Sequence, residues 1–345
     1  MGRPSISLHD HLDGGLRPAT VIDLARECGY TGLPTMDVDD LRTWFFEAAD
    51  SGSLERFLET FAHTVAVLQT PDALERVTAE AVEDLAADGV AWAEIRMAPE
   101  LCVAGGMSMG DAVTAMLAGL REGERRAAVR GHLIDAGLLV CAMRQADRAL
   151  EVAELVSARL DDGVLGFDIA GPEAGFPASR LHAAFDYLRR TPARITIHAG
   201  EADGIASIVD ALSMGAERLG HGVRIVDDIA VGDDGSVRLG RVASYVRDRG
   251  IALEMCPTSN LQTGAVATLG EHPFDFLRRL GFVVTVNPDN RLMCATSVSD
   301  EVETLIDAFG LGASDQEQWT LDALESSFAP YDLKQSIRRR IEAWG

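Results

Sequence analysis

Short apolar runs recur along the chain, and each is followed by a polar residue and then by a stretch with helical periodicity. Most runs are rich in Val, Ile and Leu and too short for independent helices, so they predict strands. They cover residues 6–8, 90–97, 132–141, 164–169, 194–197, 218–220, 251–255 and 282–286. Amphipathic stretches between them predict helices over 73–87, 145–160, 178–190 and 240–249.

Strands that alternate with helices imply a parallel sheet with right-handed crossovers. Eight strands within about 290 residues fit a closed (β/α)₈ TIM barrel, and the alternative is an open, doubly wound sheet. The positions of the reactive side chains favour the barrel, because chemistry gathers at the carboxyl ends of barrel strands. The side chains that end or follow the apolar runs are His9, His11, Asp168, His198, His221 and Asp289.

Two segments exceed the minimum for such a barrel. About 80 residues separate the first two predicted strands, and they include an extra helical lid segment over 54–61. Residues 299–345 predict closing helices, and the acidic, Gly-containing segment 227–235 predicts a surface turn. No linker interrupts the sequence, so we expect a single domain over 1–345.

Composition narrows the class of protein further. The chain is 47% hydrophobic, which allows a large core, and its formal net charge is -23. Such an acidic surface repels phosphate backbones and anionic membranes, so neither nucleic acid nor a membrane is an expected partner. Five widely spaced cysteines and the lack of long apolar segments favour a cytoplasmic protein with free thiols. The oligomeric state stays open.

His9-Asp10-His11 places two imidazoles two residues apart, on the same face of a strand. This pattern is weak evidence alone, but His198 and Asp289 follow two further apolar runs. Three imidazoles and a carboxylate suit one Zn²⁺ per chain and leave a position for water, although cobalt, iron or manganese can use similar ligands. Zinc can lower the pKa of water to about 7.

Two more residues extend the metal constellation toward catalysis. Glu201 lies three residues after His198, where a carboxylic acid could donate a proton to a ring nitrogen without binding the metal. His221, in the segment RLGHG, could orient or deprotonate an attacking water. The residues therefore predict a metal-dependent hydrolase.

The sequence resembles the adenosine deaminase family of the metal-dependent amidohydrolase superfamily, and the resemblance runs in family order over almost the whole chain. The matching segments are LHDHLDGGLRP (8–18), AEIRMAPE (93–100), GFDIAGPEAGFP (166–177), ITIHAGE (195–201), RLGHG (218–222), EMCPTSNLQTG (254–264) and VTVNPDN (284–290). Zinc deaminases of the cytidine type use P-C-x-x-C instead, which this sequence lacks.

The resemblance implies hydrolytic deamination of adenosine and 2′-deoxyadenosine, which belongs to purine salvage. Zinc would lie on His9, His11, His198 and Asp289. Glu201 would protonate purine N1, while His221 and Asp289 would position the attacking hydroxide at C6. Ammonia would leave, giving inosine or 2′-deoxyinosine.

The resemblance also implies the substrate contacts, which His11 would share. The Gly171 N–H would face purine N3, and Asp13 would accept a hydrogen bond from the 5′ hydroxyl. A lid would be formed by Leu54, Phe57, Leu58 and Phe61, for which plain helix packing is the alternative. Support for ligands or catalytic groups would come from Asp168, Glu254 and Ser259, for which core polar pairing is the alternative.

Three positions bear on the base and sugar. Asp13 fits a nucleoside, because adenine deaminases and several other relatives tend to carry Glu there. Asn290 replaces a common aspartate, and its amide could donate to purine N7 at any pH. Pro288 replaces Thr or Ser, removes a backbone donor and restricts Asn287.

Other functions stay open from the sequence. One is deamination of another aminopurine, such as adenine, an N6-modified adenosine or aminodeoxyfutalosine. A catalytically silent purine-binding protein is disfavoured, because Glu201 and the predicted ligands are all present. A phosphotriesterase-like enzyme is disfavoured because the apolar runs contain no lysine that could bridge two metals.

Overall fold

A computed structural model describes residues 4–343, and its centre is a barrel of eight parallel strands. The barrel strands, in the order in which they pair, are β1 Ser5–His11, β2 Val90–Met97, β3 Asp135–Met143, β4 Val164–Ala170, β5 Arg194–Ala199, β6 Arg218–His221, β9 Ala252–Met255 and β10 Val284–Val286. The predicted (β/α)₈ fold and its eight strands are confirmed. The rival open sheet is wrong.

The barrel closes where the residues after β10 meet β1. The His11 N–H donates to the Asp289 carbonyl at 2.7 Å, and the Asp289 N–H donates to the His9 carbonyl at 3.1 Å. Asp289 therefore belongs to the closing bridge although it lies beyond the last strand. This bridge brings the first and last predicted metal ligands together.

Helices surround the barrel and fill the long connection after β1. They are α1 Pro18–Cys28, α2 Val38–Ala49, α3 Leu54–Glu59, α4 Phe61–Val67, α5 Pro71–Ala87, α6 Met109–Val129, α7 Ala149–Ala158, α8 His182–Leu188, α9 Ile205–Ser213, α10 Arg241–Asp248, α11 Pro257–Gln262, α12 Phe274–Arg279, α13 Val298–Phe309, α14 Ala313–Ser326 and α15 Tyr331–Glu342. The last three are the predicted closing helices, whose final residues 344–345 lie outside the described range.

Local sequence explains several helix starts. Pro71 occupies the first turn of α5, and the Thr70 hydroxyl accepts from the Ala73 N–H. The Ser297 hydroxyl likewise accepts from the Asp300 N–H, while the Asp300 carboxylate accepts from the Ser297 N–H. This capping box starts α13.

Two predicted segments differ in detail from the structure. The helix expected over 54–61 is divided at Thr60, whose hydroxyl donates to the Phe57 carbonyl at 2.7 Å. The turn expected over 227–235 belongs to a short antiparallel hairpin, β7 Ile229–Val231 and β8 Val237–Leu239. Both strands are short and largely exposed, so they carry little hydrophobic periodicity to detect.

The barrel interior combines apolar packing with buried charge. All eight residues of β2 are buried, including Glu94 and Arg96. Arg218 donates to Glu94 at 2.6 Å and to Glu254 at 2.7 Å, so this charge is paired. All five cysteines are free. None of the helices between residues 4 and 343 combines the length and apolar character needed to cross a membrane.

Candidate metal centre and active site

A cavity of about 500 Å³ opens at the carboxyl ends of the strands. The structure brings most of the predicted site residues into its lining. They are His11, Asp13, Leu54, Phe57, Leu58, Phe61, Gly171, His198, Glu201, His221, Asp289 and Asn290. His9 lies behind these residues and is completely buried. Strand ends from opposite sides of the barrel therefore converge on one pocket.

The four predicted metal ligands form a compact set. His9 Nε2 lies 3.2 Å from Asp289 Oδ1, and His11 Nε2 lies 3.5 Å from the same oxygen. His11 Nε2 is also 3.2 Å from His198 Nε2. Ligands at about 2.0–2.1 Å from a tetrahedral zinc lie roughly 3.3–3.4 Å from one another. The spacing of these donor atoms therefore suits one small cation.

Two buried carboxylates hold the ligand imidazoles from behind. Glu254 Oε2 accepts from His9 Nδ1 at 2.9 Å, and Asp168 Oδ2 lies 2.9 Å from His198 Nδ1. Arg96 joins the two carboxylates, donating to Asp168 at 2.7 Å and to Glu254 at 2.8 Å. Carboxylates in this position fix the tautomer and orientation of a ligand histidine.

The electrostatics of the set also fit a cation. Burial would raise the pKa of Glu254, but Arg96 and Arg218 hold it well below its usual value, so Glu254 is ionised. Because His9 Nδ1–H donates to this carboxylate, the neutral form of His9 has a bare Nε2 that faces Asp289 Oδ1. Both atoms are buried, and neither has a hydrogen-bond partner among the described residues. Two facing acceptors are stable only with a positive charge between them.

The pKa values of the imidazoles agree with this arrangement. Burial and Arg96 lower the pKa of His9, but Asp289 and Glu254 outweigh them and raise it overall. His9 thus lies where a positive charge is favoured. Burial lowers the pKa of His198 and, more strongly, of His11, so both are neutral and able to bind a metal.

Two further side chains lie close enough to be considered as ligands. His221 groups with His9 and His198, and Cys256 groups with His9 and Asp289. Burial raises the pKa of Cys256 well above its usual value, and its thiol faces the Glu254 carbonyl at 3.5 Å. A protonated thiol is a poor ligand. The nitrogen of His221 that faces away from the pocket meets an amide rather than a carboxylate.

Glu201 is placed by a loop that another carboxylate holds. Glu173 accepts hydrogen bonds from the Ser207 hydroxyl and from the backbone N–H groups of Gly200, Glu201, Ala202 and Asp203, at 2.5–3.0 Å. Burial raises the pKa of Glu201 well above its usual value, and the charges of Asp289 and Glu173 add to the effect. Glu201 is therefore a neutral carboxylic acid beside the ligand set.

Backbone conformation is unusual at two of the predicted catalytic residues. His221 has φ 59° and Asp289 has φ 58°, the left-handed region that non-glycine residues rarely adopt. Such conformations persist where the surrounding structure imposes them, often at active sites. Here the closing bridge holds Asp289, and a buried hydrogen bond to Asn260 holds His221.

Sequence reasoning missed several residues that the structure places against the site. Ser259 Oγ, a predicted support, is buried and has no hydrogen-bond partner among the described residues, whereas the adjacent Asn260 contacts His221 at 3.0 Å. Arg96 and Glu173 were also missed. The signal for Arg96 was its charge inside a continuous apolar run. Nothing local marks the role of Asn260.

The substrate end of the pocket has its own unpaired polar groups. Asp13 is 5% exposed, its Oδ1 has no hydrogen-bond partner among the described residues, and burial raises its pKa to about 7. Asn290 packs its amide against Gly14, where a Cβ would lie 1.9 Å from Asn290 Oδ1. Gly171 follows β4 with φ 103°, and a Cβ there would meet Gln145 Oε1 at 2.4 Å.

Pro288 leaves the backbone around the metal ligand intact. The N–H and carbonyl of Asp289 both bond to β1, and the Asn287 N–H donates to the Met255 carbonyl at 3.0 Å. Asn287 also accepts from the Leu8 N–H through its side chain at 2.8 Å. The residues on both sides of Pro288 therefore keep their backbone hydrogen bonds, although proline itself has no N–H to donate.

The predicted lid residues lie together over the opening, on α3 and α4. Leu54 and Phe57 are buried, while Leu58 and Phe61 are half-buried, and all four line the pocket. The rings of Phe57 and Phe61 lie 6.0 Å apart. We call these two helices the roof, and His9, His198, Glu201, His221 and Asp289 the floor.

Three imidazoles, a carboxylate and a buried acid at the open end of a (β/α)₈ barrel define a metal-dependent hydrolase of the amidohydrolase type. Comparison with known proteins identifies the family. The family model for adenosine deaminase matches residues 4–344. Adenosine deaminase 1 of Streptomyces coelicolor is 58% identical over 330 residues, 95% of this chain and 83% of that one. The chain belongs to the adenosine deaminase family.

Further relatives and solved structures agree with this assignment. Adenosine deaminase of Mycobacteroides abscessus is 56% identical over 97% of this chain and 92% of its own. An adenine deaminase from Arthrobacter aurescens superposes with a TM-score of 0.87 at 26% identity, over 99% of both chains. The structure of Arabidopsis ADAL with IMP superposes with a TM-score of 0.83 at 25% identity, over 99% of this chain and 96% of that one. A Burkholderia amidohydrolase with bound Zn superposes with a TM-score of 0.84 at 24% identity, over 99% of this chain and 90% of that one. This likeness shows the shared fold.

Proposed function

We propose that the protein hydrolyses adenosine and 2′-deoxyadenosine to inosine and 2′-deoxyinosine, releasing ammonia. The observation that carries the proposal is the neutral acid Glu201 beside the four closely spaced donor atoms of the predicted ligands, in a pocket large enough for a nucleoside. Relatives that are 56–58% identical and named adenosine deaminase support the same reaction.

His9, His11, His198 and Asp289 would hold the metal, and we propose zinc because nitrogen and carboxylate donors suit it. When bound, zinc supplies a nucleophilic oxygen at neutral pH by lowering the pKa of water to about 7. Asp168 and Glu254 keep the ligand imidazoles of His198 and His9 oriented toward the ion.

The chain's own residues would carry the proton chemistry. Glu201 donates its proton to purine N1, which draws electrons from C6 and prepares it for attack by water. His221 and Asp289 hold the attacking oxygen beside C6. The water oxygen bonds to C6, and one of the two water protons passes to the amino group, which leaves as ammonia when the C6–N bond breaks. The other water proton replaces the one that Glu201 gave to N1. Burial of Glu201 is what keeps its proton available at neutral pH.

The rest of the pocket would recognise a nucleoside. Asp13, with its unpaired oxygen, accepts from the 5′ hydroxyl, the Gly171 N–H faces N3, and Asn290 donates to N7. Among the described residues that line the pocket there is no lysine or arginine, while Glu55 and Glu59 lie near its rim. A 5′ phosphate would meet only negative charge there, so the pocket favours a nucleoside over a nucleotide.

An ultraviolet assay of the zinc-loaded protein against a panel of aminopurines tests the proposal. The panel contains adenosine, 2′-deoxyadenosine, adenine, AMP, N6-methyladenosine and aminodeoxyfutalosine. We expect adenosine and 2′-deoxyadenosine to have the highest kcat/KM. Turnover of another member while adenosine is inert would overturn the assignment.

A second assay isolates the contact to N7. 7-Deazaadenosine lacks the N7 acceptor, so we expect it to react more slowly than adenosine in the wild type. Asn290→Ala should remove most of that difference. Equal rates for the two nucleosides, with a silent Asn290→Ala, would show that Asn290 does not read N7.

The setting of the reaction follows from the same proposal. A neutral purine nucleoside is the small-molecule partner, which places the protein in purine salvage. Five free thiols suit a reducing compartment, and we propose the cytoplasm.

A further inference from the structure

A chain of buried hydrogen bonds runs behind His221. Asn260 Nδ2 lies 3.0 Å from His221 Nδ1, and His272 Nε2 lies 3.2 Å from Asn260 Oδ1. The Phe274 backbone N–H donates to His272 Nδ1 at 3.2 Å. His221, Asn260 and His272 are each at most 2% exposed, so the chain is shielded from water.

The backbone amide at the far end gives this chain a direction. A backbone N–H can only donate, so His272 Nδ1 must accept. Burial lowers the pKa of His272 to about 4, so this ring is neutral and carries its one proton on Nε2. Nε2–H then donates to the Asn260 carbonyl oxygen, which fixes the amide and turns its NH₂ toward His221. His221 Nδ1 therefore accepts, and the proton of neutral His221 lies on Nε2.

We propose that Asn260 and His272 are positioning residues that hold His221 as its Nε2–H tautomer, so that His221 donates a hydrogen bond into the pocket. The inference rests on the proposed function for its catalytic consequence. The Nε2–H of His221 holds the oxygen of the attacking water, and His221 is not the base that deprotonates it. This chooses between the two roles that the sequence leaves open.

The same rule separates His221 from the metal ligands. Behind His9 and His198, a carboxylate accepts from Nδ1–H, which leaves Nε2 bare and able to bind a metal. Behind His221, an amide NH₂ donates to Nδ1, which leaves Nε2 protonated and without a lone pair to offer. His221 lies near His9 and His198 yet cannot act as a ligand in this form. The partner of Nδ1 thus decides the role of these three histidines.

Nitrogen NMR of the zinc-loaded protein with ¹⁵N-labelled histidine reads the tautomer directly. The chain has eight histidines, and single substitutions of His221 and His272 assign their signals. We expect both rings to show a protonated Nε2 and a bare Nδ1. A wild-type His221 with a bare Nε2 or with both nitrogens protonated would overturn the proposal.

Variants test the relay behind the tautomer. Asn260→Asp places an acceptor against Nδ1, so we expect His221 to change to its Nδ1–H tautomer. Loss of a preorganised donor should lower kcat roughly 10²-fold with little change in KM. His272→Leu frees the Asn260 amide and should give mixed tautomers with a smaller fall in kcat. His272→Gln supplies an N–H donor again and should restore the tautomer and most of that kcat.

The spectra test the tautomer and the kinetics test its catalytic effect, so the two can be contradicted independently. If Asn260→Asp and His272→Leu both lower kcat while His221 keeps its wild-type tautomer, the two residues are only structural and the proposal is wrong. If Asn260→Asp does not fold, the wild-type spectrum and the His272 pair still decide. Inactivity of the wild type toward adenosine would overturn the proposed function, whereas the tautomer would still be read from the spectra.

Discussion

The floor and the roof of the pocket differ in polarity: the floor consists of polar side chains, and the roof lines the pocket mainly with apolar ones. Floor side chains come from residues at or just after the ends of barrel strands, and their imidazole and carboxyl groups are at least 92% buried. Each floor histidine has a partner at Nδ1, the ring nitrogen that faces away from the pocket. The partners of His9, His198 and His221 are Glu254, Asp168 and Asn260, in that order. The roof offers apolar side chains from two short helices, with Glu55 and Glu59 exposed beside them.

This difference separates chemistry from retention of the substrate. A polar group held rigidly in a buried site can stabilise charge in the transition state, which acts on kcat. Apolar contacts to a bound base stabilise the bound substrate and the transition state alike, which acts on KM. Changes in the floor should therefore lower kcat, and changes in the roof should raise KM.

Chelation should have the largest effect, because it would remove the ion that we propose for His9, His11, His198 and Asp289. We expect a chelator to abolish turnover and zinc to restore it. Zinc at 100 times its Kd should also stabilise the fold by about 2.7 kcal/mol, seen as a rise in Tm. His198→Ala should lose this rise, whereas Glu201→Gln, which is not a ligand, should keep it. A zinc-dependent rise in Tm that survives His198→Ala would contradict the ligand assignment.

Weakening the support behind a ligand should have a smaller effect on the floor. Asp168→Asn keeps the shape of the side chain but removes the charge that faces His198 and Arg96. We expect metal affinity to fall roughly 10–100-fold, measured by competition with a chelator. Asp147→Asn is the control, because Asp147 is 91% exposed and pairs only with Arg180 among the described residues. Equal affinities for the two variants would remove the supporting role of Asp168.

A change in the roof should act on binding instead. Leu58→Ala removes part of the half-buried apolar surface over the pocket. Losing about 1.4 kcal/mol of this contact would raise KM roughly tenfold and leave kcat nearly unchanged. Leu150→Ala, an exposed position on α7, is the matched control. A fall in kcat with an unchanged KM would show that the roof takes part in the chemistry.

The smallest effect should be the pH dependence of KM that arises from Asp13, the proposed contact of the sugar. Burial raises the pKa of Asp13 to about 7, so its carboxylate is charged above that pH and protonated below it. The charged form accepts the 5′ hydroxyl more strongly, so KM for adenosine should rise a few-fold, about 1 kcal/mol, as pH falls through the pKa. A bound cation would move this change to lower pH without altering its sign.

A nucleoside without the 5′ hydroxyl provides the control for that measurement. KM for 5′-deoxyadenosine should not follow the titration of Asp13, and Asp13→Asn should flatten the difference between the two nucleosides. The same pH dependence for both substrates would assign the titration to another group.

The four ligand positions could be proposed from the sequence because their signals are local. His9 and His11 share a strand face, and His198 and Asp289 each follow an apolar run. The hidden part of the site depends on tertiary contacts. Arg96 reaches Glu254 across 158 positions, and Asn260 reaches His221 across 39. No periodicity records such a contact, although a charged residue in a fully buried strand is a sign that a partner must exist.

Two features were not predicted for a different reason: the break at Thr60 between α3 and α4, and the β7–β8 hairpin. Both depend on a few weak local interactions at the surface, which barely change the pattern of apolar residues. The predicted single domain over 1–345 and the roles of individual site residues stay predictions.

The most direct test of the account is the rate of adenosine deamination by Glu201→Gln at the same zinc content as the wild type. Glutamine keeps the size of the side chain but has no proton to give to N1. We predict that kcat falls by about 10²–10⁴-fold while zinc binding and Tm stay close to those of the wild type. A Glu201→Gln protein that deaminates adenosine at the wild-type rate would contradict the central claim, that a buried neutral acid on the floor protonates the purine.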